Sequence, residues 1–314
     1  MRVGVVILPA TGWPAGAEAW RLADEMGFAH AWTYDHLAWR DLLDQRWFAA
    51  VPTLAAAAVS TRRIGLGTLV ASPNFRHPVP LVKEALTLRD LSGGRFTLGI
   101  GAGAGGADAR VLGHDEPGPA ERAARFAEFT ELTDRLLREP VVDFDGRHYR
   151  ARAARTEPGG GPGRALPLAV AAGGPRGMRL AVRHADIWVS NGSSPRPGLV
   201  APSVTPELAA RQVAALEEIC AELGRPPASL RRLVLDVNRT DPPLASVAAF
   251  TDAVGRYEEA GFTDVVVPFP RTEPPFVGDL AVLERIAADV LPGLRQDVAQ
   301  APPEPADAGT HHQP

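Results

Sequence analysis

Short apolar runs alternate with longer amphipathic stretches along most of the chain. The apolar runs are nearly continuous in hydrophobicity, which is typical of strands buried on both faces of a parallel sheet. They lie at residues 3–8, 29–34, 64–71, 96–101, 166–172, 186–189, 233–237 and 264–269. Helix-like stretches lie between them, at residues 17–26, 47–59, 79–91, 120–138, 178–184, 207–223, 246–260 and 279–291.

Eight successive strand–helix pairs predict an α/β fold in which the sheet closes into a (β/α)8 TIM barrel. An open doubly wound sheet is the alternative, because a count of strands does not establish closure. We expect residues 1–295 to form one barrel domain, with a β-hairpin inserted in residues 139–165 and a substrate loop at 190–205. The polar, Pro-rich residues 296–314 are expected to be a disordered tail.

Composition narrows the classes of function that fit this chain. The 314 residues are 45% hydrophobic and have a net charge of −4, with no basic stripe that would indicate a nucleic-acid partner. No apolar run reaches the ~20 residues that span a bilayer, and the N-terminus lacks the features of a signal peptide. The one cysteine, Cys220, excludes an internal disulfide, and no Cys/His cluster has metal-site spacing. We therefore expect a cytoplasmic protein that binds no metal, nucleic acid or membrane.

The residues that follow the predicted strands are the first candidates for chemistry, because barrel active sites gather at the carboxyl ends of strands. These candidates are Asp35, His36 and Trp39 at the second strand, Leu69, Val70, Ser72 and Asn74 at the third, Ala102, Gly103 and Ala104 at the fourth, and Asn191 at the sixth. His36 is the candidate general acid or base, since histidine titrates near physiological pH. A structural histidine held by hydrogen bonds is the alternative.

A glycine-rich turn after the fifth strand is the candidate phosphate site. Its residues are Gly173, Gly174, Pro175, Arg176 and Gly177. Small residues let the backbone approach a ligand, proline suits the first turn of a helix, and free amides beside an arginine can bind an anion. A tight strand–helix turn without a ligand is the alternative.

Two further patterns bear on rival enzyme classes. The pattern Gly99-x-Gly101-x-x-Ala104 matches a dinucleotide fingerprint, but it follows the fourth strand rather than opening a first βαβ unit. We interpret it as a stretch of backbone without bulky side chains, against which a planar ring of a ligand can pack. No G-x-S-x-G nucleophile elbow occurs in the sequence, which disfavours a hydrolase.

Four segments in chain order resemble the luciferase-like monooxygenase superfamily. They are WTYDHL at residues 32–37, GTLVASPNFRHP at 67–78, LSGGRFTLGIGAG at 91–103 and GGPRG at 173–177. Members of this superfamily are barrels, commonly homodimers, that use either FMN with oxygen or the deazaflavin coenzyme F420 for hydride transfer. The first two segments most resemble the F420-dependent branch.

By this resemblance, His36 lies beside the reactive ring carbon as proton donor or acceptor, and Asp35 is the second catalytic residue. A non-prolyl cis peptide between Leu69 and Val70 is implied behind the ring. The other cofactor contacts implied are those of Asp35, Ser72, Ala102, Gly103 and the turn at residues 173–177. We assign the substrate pocket to Trp39, Asn74, Ala104 and Asn191. The acidic tail of F420 would meet Arg164, Arg176 and Arg179.

Two departures from the branch count against a sugar-phosphate substrate. Its sugar-phosphate dehydrogenases carry a catalytic Glu where this chain has Ala104 and a phosphate-binding Lys where it has residues 191–194, whereas Lys83 is the only lysine here. The leading hypothesis is an F420-dependent oxidoreductase that transfers a hydride to or from a C=C, C=N or C=O bond of a small organic substrate. The alternatives are an FMN-dependent monooxygenase that uses reduced flavin and O2, and a catalytically silent barrel.

Overall fold

The computed structural model describes residues 1–39, 42–103, 107–156, 166–192, 204–237 and 242–294. The strands in these ranges are β1 (Arg2–Val6), β2 (His30–Thr33), β3 (Gly65–Thr68), β4 (Phe96–Gly101), β5 (Val142–Asp145), β6 (Arg150–Ala154), β7 (Leu168–Ala171), β8 (Ile187–Ser190), β9 (Arg231–Leu235) and β10 (Asp264–Pro268). The α-helices are α1 (Ala15–Glu25), α2 (Ala50–Ser60), α3 (Pro78–Leu91), α4 (Ala107–Val111), α5 (Pro119–Arg138), α6 (Pro175–His184), α7 (Pro206–Glu222), α8 (Val247–Glu259) and α9 (Leu280–Asp289).

Eight of the strands form a closed parallel barrel in the order β1-β10-β9-β8-β7-β4-β3-β2. The predicted (β/α)8 barrel is confirmed, and the open sheet is excluded, because β1 pairs in parallel with both β2 and β10. The predicted hairpin is also present, as the antiparallel pair β5 and β6. The predicted tail at residues 296–314 lies outside the described residues. No helix in the described ranges combines the length and apolarity needed to cross a lipid bilayer.

Two apolar clusters pack on opposite sides of the sheet. Neighbouring strand residues belong to different clusters, as Val5 and Val6 do in β1, because successive side chains point to opposite faces of a strand. One cluster includes helix residues such as Trp20 and Leu54, and the other fills the barrel interior. Trp39 and other loop residues pack against the interior cluster, so the barrel core is the support for the loops above it.

A charged cluster ties together the amino-terminal end of the barrel. Arg2, His30, Arg231 and Asp264 are the first residues of four adjacent strands. The fully buried Asp264 carboxylate accepts a hydrogen bond from His30 Nε2 at 3.1 Å and pairs with both guanidinium groups. Trp32 Nε1 donates to His30 Nδ1 at 2.7 Å, so the ring is neutral and carries its proton on Nε2.

The charge state of this cluster follows from its contacts. Burial acts to raise the pKa of Asp264, but the hydrogen bond from His30 and the positive charge of Arg231 hold it far below its ordinary value. Burial also lowers the pKa of His30, in agreement with its neutral ring. Asp264 is therefore an ionised carboxylate whose charge is balanced by its arginine partners.

We expect Asp264→Asn to lower the free energy of unfolding by about 3 kcal/mol, because it leaves two partly buried guanidinium groups without a counter-charge. Urea denaturation at neutral pH measures this change. The matched control is Asp145→Asn in the hairpin, where the carboxylate is 64% exposed and pairs with Arg150. That change is expected to cost under about 1 kcal/mol. Equal effects of the two substitutions would contradict the prediction.

Candidate active site

His36 and Asp108 form a hydrogen-bonded pair at the carboxyl face of the barrel. His36 lies in the loop after β2, and Asp108 lies in the short helix α4 that follows β4. The distance from His36 Nδ1 to Asp108 Oδ2 is 2.8 Å. Asp108 Oδ1 accepts the backbone amides of Leu37 at 2.7 Å and Ala38 at 3.3 Å. One carboxylate therefore holds both the imidazole and the backbone that carries it.

The charge of Asp108 determines the tautomer of His36. Burial acts to raise the pKa of Asp108. The hydrogen bond from His36, the electrostatic attraction of the His36 ring and the hydrogen bonds from the two backbone amides outweigh burial, so the pKa of Asp108 lies below its ordinary value. An ionised carboxylate only accepts hydrogen bonds, so Nδ1 of the ring must donate. The Asp108 side chain is 3% exposed and that of His36 is 25% exposed. Nε2 is thus the ring nitrogen left to exchange a proton.

Aromatic side chains surround this pair. Trp47 Nε1 donates to the backbone carbonyl of His36 at 2.8 Å, which fixes the loop from the other side. The Trp39 ring stacks on Trp47 at 5.5 Å between centroids and also contacts Tyr34 at 5.3 Å and Phe276 at 6.2 Å. Loops after β2 and β10 therefore share one aromatic wall beside His36.

Asp35 has a partner that the sequence analysis did not identify. Its buried carboxylate accepts two hydrogen bonds from Arg76, from Nε at 2.9 Å and from Nη2 at 2.8 Å. Arg76 also pairs with Glu84 and lies over the Phe75 ring, 4.8 Å from its centroid. The two oxygens of Asp35 are thus engaged in holding Arg76 in the loop after β3.

The expected cis peptide between Leu69 and Val70 is confirmed. It lies directly after β3, beside the end of β4. A Cβ added to Gly101 would come within 2.5 Å of a Val70 methyl carbon, so the close approach at this point requires glycine. Ala102 and Gly103 follow at once, and Gly103 has a φ of +71° that favours glycine.

Ser72 and Asn74 are buried in the same region. The backbone amide of Asn74 donates to Ser72 Oγ at 3.4 Å, and Arg125 Nη2 donates to Asn74 Oδ1 at 2.7 Å. Nε of Arg125 is buried and has no hydrogen-bond partner in the part of the chain that the structure describes. A buried donor of this kind is costly unless a ligand or water satisfies it.

The glycine turn at residues 173–177 forms the start of α6, as the candidate phosphate site requires. Gly174 is the N-cap, Pro175 is the first helical residue, and no side chain of the described ranges caps the free amides. Arg176 is exposed and has no partner among the residues that the structure describes. Gln212 Nε2 donates to the carbonyl oxygens of Gly173 and Gly192, both at 3.3 Å, which fastens the turn to the end of β8.

The structure brings most of the predicted site residues to one face of the barrel. Each of the following lies at or just after the carboxyl end of a strand: His36, Trp39, Leu69, Val70, Ser72, Asn74, Ala102, Gly103, Asn191 and the turn at residues 173–177. Ala104 and Arg164 lie outside the described residues. Arg179 pairs with Glu222 on α7. Within the described ranges, no three His, Cys, Asp or Glu side chains are grouped as a metal site.

Sequence reasoning missed Asp108, Arg76 and Arg125 as parts of this site. Asp108 lies beyond the glycine pattern of β4, and its contact with His36 joins two distant parts of the chain. The usable signal was its position shortly after the glycines of β4, at the same barrel face as His36. The contact of Arg125, which lies on α5, had no such signal.

Comparisons with known proteins place this arrangement in a family. The family model described as luciferase-like monooxygenase matches residues 1–237. The F420-dependent glucose-6-phosphate dehydrogenase of Beutenbergia cavernae is 33% identical over 320 residues, which cover 87% of this chain and 91% of that protein. The 4-hydroxyprotoasukamycin monooxygenase of Streptomyces nodosus subsp. asukaensis is 37% identical over 210 residues, which cover 64% of this chain and only 52% of that relative.

A solved structure agrees with the fold. The coenzyme F420 dependent tetrahydromethanopterin reductase from Methanopyrus kandleri matches with a TM-score of 0.71 at 20% identity, covering 94% of this chain and 99% of that chain. At 20% identity the structural likeness supports the barrel fold alone. The family model and the curated relatives match the amino-acid sequence itself, so they support membership of the family. The chain therefore belongs to the luciferase-like monooxygenase family and is an oxidoreductase.

Proposed function

We propose that this oxidoreductase uses coenzyme F420 and transfers a hydride between the deazaflavin and a C=C, C=N or C=O bond of a small organic substrate. The pair formed by His36 and Asp108 carries the proposal, because reduction or oxidation of such bonds needs a group that exchanges a proton. The 33% identity with an F420-dependent dehydrogenase over most of both chains supports the choice of cofactor.

The carboxyl face of the barrel fits such a cofactor on two observations. The turn at residues 173–177 offers uncapped amides at the start of a ten-residue helix, and Arg176 has no partner among the described residues. Arg125 has a buried Nε that no described residue satisfies. When bound, F420 would supply the ring carbon that gives or takes the hydride.

The protein's own contribution is to orient reactants and move a proton. Asp108 holds Nδ1 of His36, so Nε2 accepts the proton when substrate is oxidised and donates it when substrate is reduced. The carbonyl contact from Trp47 keeps the loop in place. In this proposal Asp35 is a positioning residue that acts through Arg76, rather than a group that contacts the ring.

An FMN-dependent monooxygenase is the second candidate function. The 37% identity with 4-hydroxyprotoasukamycin monooxygenase favours it, although that match covers about half of the relative. The same phosphate turn would serve either cofactor, since both carry a phosphate. The expected homodimer and the exclusion of a nucleic-acid partner stay predictions.

Titration of the purified protein with F420 and, separately, with FMN is expected to quench tryptophan fluorescence more strongly and at lower concentration for F420. Arg176→Ala should weaken F420 binding by about tenfold, because a charge-assisted contact to phosphate or to the acidic tail is lost. Arg183→Ala, an exposed arginine in the last turn of the same helix, is the matched control and should leave binding unchanged.

Preference for FMN in this titration would replace the leading proposal with the monooxygenase. Binding of neither cofactor would favour a catalytically silent barrel. An equal effect of the two arginine substitutions would remove the turn at residues 173–177 from the cofactor site while leaving the identity of the cofactor intact.

Asp108→Asn is expected to invert the tautomer of His36. The asparagine amide can donate to Nδ1, which leaves the ring proton on Nε2 and removes its ability to accept. Nitrogen-15 NMR of labelled histidines, recorded at a pH where the rings are neutral, checks this. In the parent protein His36 Nδ1 should carry the proton and Nε2 should not, and in Asp108→Asn the assignment should be reversed. Turnover should fall by about 10²- to 10⁴-fold, as for His36→Ala.

The matched control for this experiment is Asp134→Asn. Asp134 accepts from Nδ1 of His184 at 2.9 Å, in a pair on α5 and α6 away from the candidate site. The control should alter only the resonances of His184 and should leave turnover unchanged. Retention of the His36 tautomer and of activity in Asp108→Asn would show that Asp108 has a structural role only.

A further inference from the structure

A preformed apolar cavity lies beside the candidate active site and has no role in the proposal above. Its volume is about 260 Å³, and ten described residues line it. The loop before α8 supplies one side through Leu244, and the segment that leaves β10 supplies the other through Phe276. Both segments follow the carboxyl ends of barrel strands, which is the face that carries His36.

The lining of this proline pocket selects against polar ligands. Six of the ten residues are prolines: Pro242, Pro243, Pro268, Pro270, Pro274 and Pro275. The other four are apolar or glycine, so none of the ten side chains carries a charge or a hydrogen-bonding group. Proline also lacks an amide N–H, and its ring fixes φ. The walls therefore offer few donors and lose little entropy when a ligand binds.

The pocket and the candidate active site share one wall. Phe276 lines the pocket, and its ring lies 6.2 Å from that of Trp39, which stacks on the Trp47 ring beside His36. The Phe276 backbone has a φ of +70°, a conformation that residues other than glycine seldom adopt. Backbone hydrogen bonds between Arg271 and Phe276 and between Gly278 and Arg271 hold it there. Strain of this kind concentrates at ligand-binding sites.

We propose that the proline pocket binds an uncharged, apolar part of the substrate, such as a hydrocarbon ring or chain, while the bond that reacts lies near His36. The volume is just below the roughly 300–1,000 Å³ of a complete small-molecule site, so the pocket receives a part of the substrate rather than the whole. This inference rests on the proposed function, since it names the substrate class of the same site.

The test uses N-phenyl-1-naphthylamine, an uncharged apolar dye whose fluorescence rises when it leaves water. The unmodified protein is expected to bind it saturably. Leu244→Asp should weaken binding by about tenfold or more, because a carboxylate buried among prolines has no partner. The matched control is Val59→Asp, which places the same charge on an apolar side chain of α2 that is 70% exposed. It should leave dye binding unchanged.

A second variant, Phe276→Gly, guards against misfolding of the first, because glycine suits the left-handed backbone while removing the shared wall. It should also weaken binding, with circular dichroism unchanged. Failure of the parent to bind the dye, or equal binding by the pocket variants and Val59→Asp, would overturn the proposal. The assay needs neither cofactor nor turnover, so its failure is distinct from failure of the F420 titration.

Discussion

Closure of the sheet is the constraint on which the rest of the structure depends. Because β10 pairs with β1 on one side and β9 on the other, the barrel has no free edge and all eight carboxyl ends lie on one face. Segments that are far apart in sequence are thereby brought into contact. Asp108 after β4 reaches His36 after β2, and Phe276 after β10 reaches Trp39.

Three buried carboxylates, Asp264, Asp35 and Asp108, offset the free-energy cost of removing a charge from water in different ways. A charge removed from water must be paired and hydrogen-bonded. Asp264 is balanced by two arginines and Asp35 by the bidentate contact of Arg76. Asp108 instead relies on a histidine and two backbone amides. Of these three carboxylates, Asp108 alone has its principal partner in a group that can exchange a proton at the face where chemistry is expected.

The fold was largely predictable because its signals are local. Strands buried on both faces give continuous apolar runs, and each of the eight predicted runs overlaps a barrel strand. Helix starts were less accurate: α6 begins at Pro175, three residues before its predicted start, because the apolar pattern begins only at Met178 whereas the proline already forms the first turn. The five-residue helix α4 was missed because it is too short to show a period.

Candidate site residues were predictable only where they directly follow a predicted strand, because that position places them at the carboxyl face of the barrel. His36 and the turn at residues 173–177 were identified as candidates because they follow strands directly. The partners Asp108, Arg76 and Arg125 were not, because a single sequence does not show which distant residues pair; only Asp108 had a positional signal, shortly after the glycines of β4. The cis peptide at Leu69 and Val70 was anticipated from resemblance, since neither residue type marks it. The proline pocket was not predictable either, because its prolines come from two separate loops that only the closed barrel brings together.

The charged cluster around Asp264 lies at the opposite end of the barrel from His36, and this separation has an evolutionary consequence. The contacts that hold four strands at their amino ends do not involve any loop of the carboxyl face. Those loops can be exchanged or lengthened by mutation without loosening the cluster. We therefore expect a lineage built on this chain to vary more in its carboxyl-face loops, and so in its substrates, than in the residues at these four strand ends.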